Sequence, residues 1–112
     1  MSIPLPGTPV RGSKTGKPIM ALFDLLGRPW ALGIIWFLSK KPSTFKQIQH
    51  YCENNSPTLL STRLKELQVT GLIEKTIDGY ALTANGRSLF TVIEPMGAWS
   101  LQWAASLTKE IK

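Results

Sequence analysis

At 112 residues the chain is one domain by length, and a domain of this size leaves part of its apolar surface unburied when it folds alone. Thirteen Lys and Arg against seven Asp and Glu give a formal net charge of +6, an excess that favours a polyanionic partner without establishing one. One cysteine, Cys52, excludes an internal disulfide and a cysteine zinc site, and with one His and no Gly-rich phosphate loop the chain offers no catalytic, cofactor or metal set.

Residues 1–17 hold Pro4, Pro6, Pro9, Gly7, Gly12, Gly16 and three basic residues without one acid, a composition that predicts a flexible basic arm. Two readings of it stay open: an arm that reaches into a DNA groove, and a plain solvated tail. From Pro18 to Leu26 a helix is predicted, with Pro18 in its first turn, Ile19, Leu22, Phe23 and Leu26 at helical spacing, and Gly27 as its stop. Pro29 opens a second helix whose run Trp30 to Leu38 is apolar on nearly every side, the expected central post of the domain, ended by Lys40-Lys41-Pro42. That run is shorter than the ~20 residues of a membrane span, so no membrane partner is expected, and with no export signal evident a reducing cytoplasm is the simplest compartment.

Ser43 or Thr44 caps a third helix that turns Phe45 and Ile48 inward, with Tyr51 or Cys52 as further candidates, and Lys46, Gln47, Gln49 and His50 outward. After Glu53-Asn54-Asn55 a fourth helix starts with Ser56 as N-cap and Pro57 in the first position, and runs to about Thr70 before Gly71. Leu72 to Ile77 and Tyr80 to Leu82 then flank Asp78-Gly79, a pair suited to a type I′ hairpin turn. The last helical stretch follows Thr83 and is expected to break before Pro95.

The predicted class is therefore mainly α with a small β-hairpin, in the order of a winged helix-turn-helix with flanking dimerisation helices, the domain running over 18–108. The wheel of the fourth helix supports this order. At about 100° per residue Leu60, Leu64 and Leu67 share one sector, and Thr58, Ser61, Thr62 and Lys65 share the opposite one. Short hydroxyls and a lysine suit a major groove of double-stranded DNA, and the helix N-terminus at Ser56, Pro57 and Thr58 suits a phosphate. An ordinary amphipathic surface helix would show the same pattern alone; the succession of elements tips the reading. Arg28, Lys40, Lys41, Lys46, Arg63 and Lys75 are the candidate phosphate contacts.

Several segments together resemble one known family: Leu25-Leu26-Gly27-Arg28-Pro29-Trp30, Phe45-Lys46-Gln47-Ile48, the run from Ser56 to Leu67, Gly71-Leu72-Ile73, and the run from Tyr80 to Arg87. They look like the HxlR-type branch of the MarR-like winged-helix transcriptional regulators, over roughly residues 18 to 104. The resemblance implies a homodimer on a pseudo-palindromic operator, acting most often as a repressor. Its N- and C-terminal helices would form the interface through Ile19, Phe23, Met96, Trp99 and Trp103. The residues agree, because Trp99 and Trp103 follow the DNA module with no evident core to fill, and a two-fold would bury them while spacing two recognition helices ~34 Å apart. Packing back on the second helix is the alternative.

Two features depart from the family pattern. Relatives often carry a cysteine just before the proline of the first helix, where some sense electrophiles or oxidants, but here Lys17 precedes Pro18. Cys52 lies elsewhere and is expected to be a buried, inert thiol. The wing is also short, which shifts expected readout toward the fourth helix. A small apolar effector among Trp30, Trp36, Trp99 and Trp103 stays open beside simple packing. So does a winged-helix module that binds protein instead of DNA.

Overall fold

The computed structural model describes residues 3–111, with side chains as far as Thr108. Six helices and one hairpin follow in the order α1 (Pro18–Leu26), α2 (Ala31–Leu38), α3 (Phe45–Tyr51), α4 (Pro57–Val69), β1 (Ile73–Thr76), β2 (Gly79–Leu82), α5 (Ala84–Ile93) and α6 (Pro95–Ile111). Mostly helical with a two-stranded antiparallel sheet, this is the winged-helix class that the sequence predicts.

The core gathers around α2, where Ala31, Ile34, Ile35 and Leu38 are buried and the helix touches α1, α3, α5 and β2. Leu25, Ile48, Leu60, Leu64, Leu67, Ile73, Leu82 and Ile93 complete the cluster. Each such side chain removed from water stabilises the fold by roughly 1.5–3 kcal/mol. α2 starts later than its proline suggests: Trp30 sits just before it with φ 68°, in the left-handed region, and packs edge-on against Tyr51. No single helix among the described residues is long and apolar enough to cross a membrane.

α3 is fixed by a reciprocal cap. The Gln47 amide donates to Thr44 Oγ1 at 3.2 Å and the Thr44 amide donates to Gln47 Oε1 at 2.8 Å, so Gln47 is spent on the cap while facing water. Ile48 and Cys52 face inward; Tyr51 is exposed at its edge and stacks on Phe37, 4.4 Å between ring centres.

The wing differs in its turn. Thr76 pairs with Gly79, so Ile77-Asp78 forms the loop, and of Asp78 and Gly79 only the glycine has positive φ, at 117°. A type I′ turn is therefore absent. The reason lies outside the hairpin: Ser43 and Tyr80 exchange backbone hydrogen bonds of 2.9 and 2.8 Å, adding a one-residue third strand, and a Cβ at Gly79 would overlap the Ser43 carbonyl. That outside pairing fixes Tyr80 and leaves the turn to form around it. α5 and α6 break at Glu94, just before Pro95, as the proline predicts.

The segment expected to be a free arm is, over residues 3–17, laid against α1. The Gly7 amide bonds to the Gly16 carbonyl at 2.9 Å, Val10 and Ser13 pair, Pro4 is buried, and the Arg11 amide donates to Asp24 Oδ2 at 3.2 Å.

Candidate nucleic-acid interface

α3, the turn after it and α4 form the helix-turn-helix. Glu53 and Asn54 make the turn with φ of 59° and 56°. Asn55 then accepts the Ser56 amide through Oδ1 at 2.9 Å, and Ser56 Oγ accepts the Leu59 amide at 3.3 Å. The N-terminus of α4 is thus built from short polar side chains and Pro57, all at the surface. Along α4, Leu60, Leu64 and Leu67 are buried, while Thr58, Ser61, Thr62 and Lys65 are exposed. The outward sector read from the wheel is present as an uncovered polar face. Lys46 on α3 is exposed beside this module, and Lys75 on β1 is exposed with its ammonium 4.7 Å from the Tyr80 ring centre.

Two of the candidate phosphate contacts are elsewhere. Arg28 is 5% and Arg63 is 6% exposed, and both are committed to carboxylates. Arg28 Nη1 pairs with Glu66 Oε2, its Nε lies 3.5 Å from Asp24 Oδ1, and Arg63 Nη1 donates to Glu66 Oε1 at 2.6 Å. Arg63 Nε also donates to the Pro29 carbonyl at 2.7 Å. Neither guanidinium reaches a phosphate; the pair ties α4 to α1 and to the turn before α2. Taking four charges out of water is favourable only with such close pairing, and the unpaired alternative is costly. The sequence carried a signal for this: Arg63 stands about 60° from Leu60 on the wheel, nearer the leucines than the hydroxyl face.

The five proposed interface residues are all uncovered: Ile19 47%, Phe23 60%, Met96 53%, Trp99 62% and Trp103 53% exposed. On α6 the two tryptophan rings stack at 5.9 Å, and Leu101 and Leu107 add further exposed apolar surface. The four tryptophans do not converge on one pocket. Trp30 packs on Tyr51, Trp36 on Phe90 and Trp99 on Trp103.

A sequence profile of the HxlR-like helix-turn-helix family matches residues 25–108. The chain belongs to the HxlR-like helix-turn-helix family. Among HxlR-type relatives, the HTH-type transcriptional regulator YodB of Bacillus subtilis (strain 168) is 34% identical over 88 residues, covering 72% of this chain and 79% of YodB. The crystal structure of quinone-bound YodB superposes with a TM-score of 0.68 at 36% identity, covering 75% of this chain and 96% of that one. A crystal structure assigned to the MarR family, from Porphyromonas gingivalis W83, shares the fold at 21% identity, with a TM-score of 0.68 over 80% of this chain and 94% of that one. The protein is thus a transcriptional regulator of HxlR type on a winged-helix fold shared with MarR-family proteins.

Within this HxlR-type frame Cys52 is fully buried at the end of α3, and burial, with Glu53 beside it, pushes its thiol up from 9.0 to about 11. So little thiolate exists near neutrality that the group packs as a small apolar side chain. Lys17 is the exposed residue before α1.

Proposed function

We propose that the chain is a sequence-specific regulator that binds double-stranded DNA as a homodimer. It works in the cytoplasm on a pseudo-palindromic operator and acts as a repressor. α4 enters the major groove with Thr58, Ser61, Thr62 and Lys65 toward base edges, and its N-terminus at Ser56 and Pro57 lies at a phosphate. Lys46 and Lys75 hold the backbone on either side, a role that adds affinity without sequence preference.

The observation that carries this reading is the division of α4. Leu60, Leu64 and Leu67 are sunk in the core, Arg63 and Glu66 are locked in ion pairs, and the sector of Thr58, Ser61, Thr62 and Lys65 is left free with hydroxyls and one ammonium. A helix held this firmly with a smooth hydroxyl face suits insertion into a groove. Ile19, Phe23, Met96, Trp99 and Trp103 supply the seam between copies, since uncovered tryptophans of this number are costly in water and an isologous contact buries them in pairs.

Selection of bound duplexes from a random library tests the reading at once. A two-fold symmetric consensus, with half-sites about one helical turn apart, is the expected result. Recovery of no consensus, together with no retention of duplex DNA even at low salt, refutes DNA binding and leaves a protein-binding winged helix.

A further inference from the structure

Between the N-terminal segment and α1 lies an open pocket of about 370 Å³ that the tryptophans do not line. One wall is Pro4 and Pro6, the floor is α1 through Ala21, Leu22 and Leu25, and the far wall is Thr70 and Leu72. Its volume falls within the roughly 300–1,000 Å³ of small-molecule sites. Apart from Thr70, every lining residue is apolar, and the Thr70 hydroxyl already donates to the Glu66 carbonyl at 2.8 Å.

We infer that this cavity binds a small, uncharged, aromatic or aliphatic molecule, and that its occupancy alters DNA binding. Chemistry selects the class. No lining residue is charged, so a carboxylate or ammonium would lose its hydration with nothing to replace it, whereas a hydrocarbon ring gains contact on three sides.

Position supplies the consequence. Thr70 is the C-cap of α4, and Leu72 leads into the wing, its amide bonded to the Leu67 carbonyl and its carbonyl to the Thr83 amide, both at 3.0 Å. An occupant therefore rests against the last turn of the recognition helix and the root of the wing. The opposite wall is tethered as well, through the Arg11 amide on Asp24, which pairs with Arg28 and so leads to Glu66 on α4. Pro4 and Pro6 come from the segment before α1, ahead of residue 25 where the family match begins.

The full chain titrated with toluene, with benzoate as charged control, tests the site by amide NMR in the absence of DNA. Saturable toluene shifts at Ala21, Leu22, Thr70 and Leu72, absent with benzoate, are expected. In Leu22→Trp, which fills the cavity, affinity for toluene should fall on the order of tenfold or more. If Leu22→Trp fails to fold, Pro6→Lys, a charge at an exposed wall position, should weaken toluene in the same direction. Shifts confined to Trp99 and Trp103, no saturable binding, or undiminished affinity in the folded variant would overturn the site.

The effector role rests on the DNA-binding reading, which duplex retention reports without toluene. Saturating toluene should change operator affinity in the wild type and not in Leu22→Trp. Unchanged operator affinity in the toluene-saturated wild type overturns the effector role.

Discussion

α4 and α6 are both amphipathic, yet the fold treats them in opposite ways. α4 buries three leucines, two charged side chains are clamped beside them, and Thr58, Ser61, Thr62 and Lys65 are left to solvent as a polar strip. α6 starts at Pro95 and, from there to Thr108, every residue other than the partly covered Gly97 is exposed, including Met96, Trp99, Leu101, Trp103 and Leu107. One helix is oriented by its own chain. The other presents apolar surface that its own chain does not cover. An exposed face is therefore informative only with its chemistry: hydroxyls and lysine suit nucleic acid, indoles suit protein.

The sharpest way to break this contrast is to release α4. Glu66→Ala leaves Arg28 and Arg63 without the carboxylate that binds both, and should cost about 3–5 kcal/mol, read by urea unfolding. A loss under 1 kcal/mol would show that the clamp does not hold the helix. Next comes α6. Trp99→Ala with Trp103→Ala should convert the proposed dimer to a folded monomer in sedimentation, with about 2 kcal/mol or more of association lost per tryptophan. A double variant that stays dimeric places the seam elsewhere.

Thr62→Glu tests the free strip of α4. It should abolish operator retention and leave stability within about 0.5 kcal/mol, since the side chain is exposed. Retention at wild-type strength would remove α4 from the groove. The smallest effect belongs to Lys75→Gln on the wing. It should weaken all duplexes alike and reduce the slope of log K against log[salt] by about 0.9; an unchanged slope would detach Lys75 from the phosphates.

How much of this could be read from the amino acids depends on how local the cause is. The boundaries of α1, α3 and α4 were legible because Pro18, Thr44, Ser56, Pro57 and Gly71 act within one turn of where they stand. The leucine seam and hydroxyl strip of α4 were legible for the same reason, as both follow from helical periodicity. Arg28 and Arg63 were misread as phosphate contacts because their partners come from three parts of the chain, 24, 28 and 63–66, and only the fold brings these together. The turn of the wing was misread because Ser43, more than 30 residues upstream, fixes Tyr80. Composition predicted a free leading segment, and it carried no trace of the Pro4 burial or the bond from Arg11 to Asp24.

The bridge between Ser43 and Tyr80 also bears on how such a molecule can respond to a signal. Because the hairpin is stitched to the residue that precedes α3, with no room for a side chain at Gly79, wing and helix-turn-helix turn as a single solid head. A head of this kind has little internal hinge to bend. In the homodimer proposed above, regulation would then become a matter of aim: small rotations about the seam would carry two recognition helices into or out of phase with successive grooves.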